Sequence, residues 1–384
     1  MLERFLGAYL VGRRFSPPLV GYFQRPFSPS DKRRCLIVYE PKRIAFAQIY
    51  PFLHYWRTLH ERFGMAVRLV PVTDAALVEE RARGADVVLF QVWFSKGEEE
   101  TAQIAKTLRQ AAPEATLAYI DCFAHSDIRW AGALAPYIDW YLKKSVLKDR
   151  TQHQAVFNGH NLQNAWYSEH FGLGDPPTDW RVPSSTLERL RLMPSFETSA
   201  KLMPLFTGKA APPKLDGRTY DLQARFSVGA DGAYGAMRKG AMDAVDALGD
   251  LKVAKGRAEL SWPAFMDELG DSTLCFSPFG YGELCWRDQE AFAAGSIVLK
   301  QDMGHLETKL DLYEPYETYV PVRWDYSDFE AKVRELLADP QLRAHIARTA
   351  FERIGTYFNE ERFVDDMAFL FAEGEMKGRR QQAA

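Results

Sequence analysis

A glycine-bearing loop between two apolar runs is the part of this sequence best suited to chemistry on an anion. Residues 278–295 lie between the apolar runs 272–276 and 296–299, a pattern that predicts a strand, a loop, a short helix and a second strand. The loop offers backbone N–H groups, and the start of a helix carries a partial positive charge. The unit is therefore suited to bind an anion such as a diphosphate.

Three residues within this unit favour that role. Gly280 and Gly282 make the loop flexible, so that its N–H groups can approach a ligand. Arg287 lies at the predicted start of the helix and adds a full positive charge, and its planar fork matches phosphate oxygens. The structural alternative for Arg287 is an ordinary surface arginine on a short helix.

Two further cations are candidates for the same site. Arg225 lies near the carboxyl end of a predicted strand, and ligands bind at that end of the strands in open parallel sheets. Lys300 closes the strand that follows the loop, from where its side chain could reach the same anion. An ordinary surface or packed cation is the alternative for each of them.

A second polar cluster, formed by Asp121, His125 and Asp127, suits proton transfer. All three residues follow the fourth predicted strand and would lie on the loop at its carboxyl edge. Histidine titrates near neutral pH, and a neighbouring carboxylate can orient its ring. We therefore take the cluster as the candidate catalytic base. A turn with a capped helix is the structural alternative, and the segment 158–161 is a weaker competitor for the role.

Positioning these residues requires strands that alternate with helices. The first series has predicted strands at 35–39, 67–72, 86–92, 116–120 and 139–142 and helices at 49–62, 74–83 and 98–111. The second series has strands at 220–228, 251–254, 272–276, 296–299 and 319–322 and helices at 234–248 and 261–269. Such alternation is typical of a parallel sheet covered on both faces. We therefore predict an α/β fold of two Rossmann-like domains that face a central cleft.

Changes in composition divide the chain further. We predict a basic, aromatic extension at residues 1–34 and a first Rossmann-like domain at 35–150. A connector at 151–216 leads to a second Rossmann-like domain at 217–357, and a C-terminal helix and tail follow at 358–384. Ser327 and Glu330 have the spacing of a capping box, and Asp339 before Pro340 has that of an N-cap with proline in the first turn.

Composition narrows the classes of partner. A net charge of -3 argues against broad nucleic-acid binding, which needs a basic surface. The four cysteines have no CxxC spacing and indicate free thiols in a reducing compartment, so we expect a cytoplasmic protein. Asp302 and His305 are too few to predict a metal site. No window approaches the roughly 20 apolar residues of a membrane span.

The N-terminal extension allows two interpretations. Residues 1–34 interleave seven Lys and Arg side chains with six aromatic ones, a mixture that could sit on the anionic inner face of a membrane. The alternative is an extension packed across the outside of the first domain.

The segment 287–299 also carries a resemblance. Its sequence Arg-Asp-Gln-Glu-Ala-Phe-Ala-Ala-Gly-Ser-Ile-Val-Leu resembles the nucleotide-binding segment of GT-B-fold glycosyltransferases, in which Arg-x-x-Glu-Ala runs into a small-residue turn and a buried strand. Residues 295–300, followed by 319–322 and 326–329, are similar to the capsule-associated and protein O-glucosyltransferase branch. The resemblance covers residues 218–357, and upstream it is only architectural.

This resemblance implies a metal-independent transfer of a hexosyl or pentosyl group from a nucleotide-sugar donor, which is a substrate and not a cofactor. The second domain would hold the donor, with Arg287 on the diphosphate and Glu290 on the ribose. The first domain would face a glycan, lipid-linked or protein acceptor, in the synthesis of a surface polysaccharide or glycoconjugate.

The sequence departs from the pattern at two positions. Many retaining GT-B enzymes have seven residues between two glutamates, but Glu283 and Glu290 have six between them, so the role of Glu283 and the stereochemistry stay open. Trp286 stands where the capsule-associated branch tends to have serine. Two other classes therefore remain: a non-catalytic GT-B-like binding or scaffold protein, and a sugar-nucleotide epimerase.

Overall fold

Strands and helices alternate along the computed structural model, which describes residues 15–208, 213–229, 231–256 and 260–371. The strands are β1 (Arg33–Tyr39), β2 (Met65–Pro71), β3 (Val87–Phe90), β4 (Thr116–Asp121), β5 (Trp140–Lys143), β6 (Ser145–Leu147), β7 (Phe157–Asn158), β8 (Pro177–Thr178), β9 (Leu190–Leu192), β10 (Tyr220–Gln223), β11 (Val253–Ala254), β12 (Ser272–Phe276), β13 (Ile297–Gln301), β14 (Leu306–Thr308) and β15 (Val320–Val322). The helices are α1 (Pro17–Gln24), α2 (Arg43–His54), α3 (Trp56–Phe63), α4 (Ala75–Ala82), α5 (Glu98–Ala111), α6 (Ala131–Leu134), α7 (Leu162–His170), α8 (Ser184–Leu187), α9 (Gly232–Asp246), α10 (Trp262–Gly270), α11 (Trp286–Ala294), α12 (Phe329–Ala338), α13 (Pro340–Asn359) and α14 (Arg362–Asp366).

The first domain is built on a parallel sheet of six strands in the order β2-β1-β3-β4-β5-β9. Alternate residues of β1 enter two separate apolar cores: Cys35 and Ile37 pack into one, and Leu36 and Val38 into the other. Burial on both faces is the reason that its strands read as continuous apolar runs. The sixth strand, β9, comes from the range 151–216 that we assigned to the connector.

The second domain has a parallel sheet of five strands in the order β11-β10-β12-β13-β15. The central strand β12 has the predicted bounds. The strand predicted at 220–228 ends already at Gln223, so Arg225 lies in the loop at its carboxyl end.

Strand pairing and the C-terminal residues both join the domains. Strand β6 of the first domain pairs antiparallel with β14 of the second. At the C-terminal end, the chain returns to the first domain, where the Tyr55 hydroxyl donates to the Phe358 carbonyl at 3.0 Å and Phe363 packs edge-on against Phe52. The predicted α/β fold with two Rossmann-like domains around a cleft, the GT-B arrangement, is confirmed.

Some local predictions were wrong. The helix predicted at 49–62 is two helices, α2 and α3, which meet at Tyr55. The predicted capping box at Ser327 is absent: α12 begins at Phe329, and the Ser327 hydroxyl donates to Asp325 instead. The N-cap at Asp339 is confirmed, because its carboxylate accepts from the Leu342 N–H at 2.8 Å.

The described part of the N-terminal extension packs against the first domain. Phe15 and Phe23 are buried, and the Arg68 guanidinium lies 4.2 Å above the Tyr22 ring and 2.8 Å from the Asp31 carboxylate. These aromatic side chains pack against the protein. Residues 1–14 of the proposed membrane contact lie outside the described residues. Within the described ranges, no helix is long and apolar enough to cross a bilayer.

Candidate functional site

A cavity of about 1030 Å³ lies between the two domains. On the first-domain side, Trp93, Phe123 and Lys144 follow the carboxyl ends of β3, β4 and β5 and line it. On the second-domain side, Arg238 of α9 and Arg287 of α11 line it. The cavity therefore lies at the edge of the parallel sheets where α/β proteins bind ligands.

Arg287 is the predicted anion ligand that the structure places in the cavity. It lies in the first turn of α11, and its Nη2 donates to the Arg225 carbonyl. Its Nε is buried without a hydrogen-bond partner among the described residues. Asp288 accepts from the Cys285 N–H at the start of this helix, so part of the helix terminus is already capped by the protein.

Arg238 is a cavity residue that the sequence analysis missed. It is 6% exposed, and its guanidinium lies 5.3 Å from the Tyr234 ring and 5.4 Å from the Phe226 ring. Its Nε also has no partner within the described residues, and burial lowers its pKa. The signal that could have found it is the glycine-rich segment 229–235, within which α9 begins.

Lys144 is a second missed cation. It is 2% exposed and lines the cavity, and its Nζ lies 4.6 Å above the Phe196 ring. Burial, together with the neighbouring Lys143, lowers its pKa to about 8. Sequence offered only a weak signal for it, a pair of lysines at the end of the fifth strand.

Two predicted donor ligands do not reach the cavity. Arg225 forms a bidentate ion pair with Glu268, at 2.6 and 2.7 Å. Lys300 is fully buried, with its Nζ 3.0 Å from the Ser277 carbonyl and 3.2 Å from the Asp288 carboxylate. Both charges are thus occupied by partners inside the second domain, and we correct their assignment from ligand binding to packing.

The loop glycines form a contact between the domains. A Cβ on Gly282 would lie 1.9 Å from the Ala124 carbonyl oxygen of the first domain, so only glycine allows this approach. Gly280 donates its N–H to the Gly282 carbonyl and accepts from Gln163 Nε2, each at 2.9 Å. Neither glycine lines the cavity, so the loop holds the domains together where we had expected a phosphate cradle.

The two glutamates of the motif have different surroundings. Glu283 is fully buried beneath the cavity wall, and its Oε1 accepts from the Ser126 hydroxyl at 3.1 Å and lies 3.5 Å from His305 Nε2. Burial alone would raise its pKa, but the histidine outweighs this and lowers it. Glu290 lines the cavity, accepts from Trp262 Nε1 at 2.8 Å, and has its pKa raised by burial.

Asp121 and Asp127 are engaged in ion pairs. Asp121 is fully buried and accepts from the Tyr141 hydroxyl and from Lys143 Nζ, both at 2.6 Å. Asp127 holds the Arg129 guanidinium at 2.6 and 2.7 Å. Burial would raise the pKa of Asp127, but Arg129 outweighs it and brings the pKa to about 2. Neither carboxylate lines the cavity, so both support the loop and do not act as bases from these positions.

His125 lines the cavity and has a defined tautomer. Arg129 Nη2 lies 3.0 Å from its Nδ1, and because a guanidinium only donates, Nδ1 must accept and Nε2 carries the ring proton. Burial lowers the pKa of His125 to about 4. Near neutral pH the ring is therefore an uncharged hydrogen-bond donor, which differs from the base that we expected. Asn161 of the competing segment caps α7 by accepting from the Asn164 N–H.

Aromatic rings from both domains surround the cavity. Phe94 of the first domain is 63% exposed and Tyr281 of the second is 65% exposed. The Tyr281 ring stacks on Tyr234 with centroids 4.5 Å apart, and Arg129 lies above the Trp180 ring. Such rings offer flat apolar faces on which a nucleobase or the C–H face of a sugar can stack. Within the described ranges, no group of three or more His, Cys, Asp or Glu side chains could hold a metal ion.

Comparison with known proteins finds similarity in three-dimensional structure only. No protein-family model matches this chain, and no curated protein matches it. A glycosyltransferase from Rickettsia africae ESF-5 overlaps with a TM-score of 0.49 at 8% identity, over 89% of this chain and 98% of that chain. A sucrose-phosphate synthase from Thermosynechococcus elongatus overlaps with a TM-score of 0.44 at 14% identity, over 92% of this chain and 100% of that chain.

A chain of the GtfA/B complex overlaps with a TM-score of 0.42 at 10% identity. That match covers 77% of this chain but only 59% of the other. At these identities and TM-scores, neither activity nor substrate carries over to this chain. The two parallel sheets, the cleft between them and the C-terminal return to the first domain therefore carry the assignment of this chain to the GT-B fold.

Proposed function

We propose that this protein is a glycosyltransferase that moves a sugar from a nucleotide-sugar donor to an acceptor in the cleft between its domains. The observation that carries the proposal is the pair Arg238 and Arg287. Both line the cavity, and each keeps a buried Nε without a hydrogen-bond partner among the described residues. Cations held in this way stabilise the negative charge that develops on a leaving diphosphate.

Other cavity residues have roles on the donor in this proposal. Glu290 accepts from the ribose hydroxyls, and its hydrogen bond to Trp262 orients the carboxylate for that contact. From the opposite wall, the Nε2–H of His125 donates to an oxygen of the donor sugar. The arginines supply the positive charge on the diphosphate, so we expect transfer without a bound metal.

The acceptor enters over the aromatic wall of the first domain, which includes Trp93 and Phe94. We propose a glycan, lipid-linked or protein acceptor and a role in surface polysaccharide or glycoconjugate synthesis in the cytoplasm. Contact with the inner face of a membrane is left to residues 1–14, because the described aromatic side chains of the extension pack inward.

A thermal-shift panel with UDP, GDP, ADP and CMP tests the donor site. A ligand that binds only the folded state raises the melting temperature, so at least one nucleotide should do so for the wild type. Arg287→Ala and Arg238→Ala should each abolish or greatly reduce that shift. Arg348→Ala, an exposed arginine on α13, is the matched control and should keep it. No shift with any nucleotide would contradict the proposal.

The non-catalytic scaffold remains a second candidate because Glu283, the acid with the displaced spacing, does not line the cavity. Release of free nucleotide from a sugar nucleotide without acceptor separates the two functions. Turnover that Arg287→Ala abolishes excludes the scaffold. An epimerase would instead accumulate the epimerised sugar nucleotide in the same reaction.

A further inference from the structure

Lys144 is a buried cation that the roles assigned above leave unused. It directly follows β5, where the preceding residue, Lys143, is satisfied by the Asp121 carboxylate at 2.6 Å. Lys144 has no ion pair among the described residues, and its Nζ rests above the Phe196 ring. Two consecutive lysines of one strand end thus have opposite environments, one paired and one facing the cavity.

An unpaired ammonium in a buried position is costly, because burial removes its water without supplying a compensating charge. The buried acid Glu197, next to Phe196 in the chain, forms no ion pair with it among the described residues, although the positive charge of Lys144 acts to lower the Glu197 pKa. The Glu197 carboxylate accepts from the Ser195 N–H at 2.7 Å, and burial raises its pKa to about 7. A ligand with a negative charge would supply the ion-pair partner that Lys144 does not have among the described residues.

The position of Lys144 links it to the proposed donor site. Phe196, which its Nζ covers, stacks on Trp286 with ring centroids 4.7 Å apart. Trp286 is the first residue of α11, and Arg287 follows it. Lys144 therefore approaches the start of α11 from the first domain, whereas Arg238 and Arg287 belong to the second.

We propose that Lys144 binds a phosphate group of the ligand and so connects the first domain to an anion held by Arg238 and Arg287. This inference rests on the proposed function, in which that anion is the diphosphate of the donor. Lys144 then adds a third positive charge around the leaving group, in the cavity that Arg238 and Arg287 also line. A phosphate or carboxylate on the acceptor has the same chemistry, and the experiment separates the two sources.

The pH dependence gives Lys144 a signature of its own. The titratable groups that influence it are Lys143, Cys122, Asp121 and Cys285, and Lys144 in turn acts on Glu197. As the pH rises through about 8, the ammonium loses its proton, so anion affinity should fall. Arginine stays charged throughout this range, so Lys144→Arg should retain its affinity at high pH.

Calorimetric titration with the nucleoside diphosphate found in the thermal panel, and separately with inorganic pyrophosphate, tests the inference. Lys144→Met should weaken both by about tenfold, the effect of losing one charged hydrogen bond, and should lose the pH dependence near 8. Lys148→Met, an exposed lysine outside this cavity, is the matched control and should bind as the wild type does. Without ligand, Lys144→Met should be no less stable than the wild type, because it removes a buried charge that has no ion pair among the described residues.

The outcomes are distinct. Unchanged titrations combined with a raised KM for the acceptor would assign Lys144 to an anionic acceptor. Binding of pyrophosphate that depends on Lys144, without binding of any nucleotide, would uphold the anion site and overturn the proposed function. Wild-type protein that binds neither probe, or a Lys144→Met variant that binds both normally with an unchanged acceptor KM, would overturn the inference.

Discussion

The buried and half-buried cations discussed above divide into those that form ion pairs with acidic side chains and those that form none among the described residues. Arg225 and Lys300 belong to the first group, because Glu268 and Asp288 hold them. Arg287, Arg238 and Lys144 belong to the second and line one cavity. Because a buried charge needs a partner, the absence of an acidic partner identifies candidate site residues better than the residue type alone.

His125 allows a prediction about pH at this scale. With Nδ1 occupied by Arg129 and a pKa of about 4, the ring does not change its charge between about pH 5 and about pH 8. Donor turnover by wild type and by His125→Gln should therefore have the same pH profile. The variant should be slower by no more than about tenfold, since it loses one hydrogen bond.

Steady-state rates across this pH range check the prediction. His160→Gln is the matched control, because His160 is exposed and its ring lies 6.4 Å from that of His125. A general base would behave differently: wild-type activity would fall as the pH drops through the usual histidine range, and His125→Gln would lose about 10²–10⁴-fold in rate.

The glycine-bearing loop is the element on which the two domains meet. Its position between β12 and α11 was predictable from the apolar runs around it. Its role was not, because the partner of Gly282 is the backbone of Ala124, in the other domain. The same loop sequence would suit a phosphate cradle if the first domain did not occupy the space.

Gly282→Ala should disturb this contact. The added methyl group would meet the Ala124 carbonyl oxygen at 1.9 Å, so the loop or the first domain must shift. We expect the free energy of unfolding to fall by about 1–3 kcal/mol, the usual cost of overpacking, as measured by urea denaturation. Gly280→Ala, in the same loop but with its nearest contact at 3.5 Å, should lower it much less. Equal effects of the two substitutions would contradict this role for Gly282.

Across the whole molecule, the C-terminal residues connect the second domain back to the first. Phe363 of α14 is fully buried against Phe52 and Tyr55. Phe363→Ala should lower the free energy of unfolding by about 3–5 kcal/mol, because it removes a buried ring and leaves a cavity. Chemical denaturation measures this change.

Phe94→Ala is the matched control, since its ring is 63% exposed, and it should change the free energy of unfolding by no more than about 0.5 kcal/mol. If Phe363→Ala were equally mild, the C-terminal segment would not hold the domains together.

The sequence by itself determined the α/β class, most strands and the location of the helix start that carries Arg287. These features depend on local periodicity and on the buried faces of parallel strands. Arg287 and His125 could be placed near the cleft because they follow strand ends. Only the tertiary structure decided which cations are paired and which loop residues touch the other domain. Glu268, the partner of Arg225, lies 43 residues away in the chain, and Ala124, which Gly282 contacts, lies about 160 residues away. Whether a charged side chain is paired depends on the residues that pack against it in the folded protein. Lys144 and Arg238 are therefore candidate ligand-binding residues only because the folded structure places both of them in the cavity between the domains.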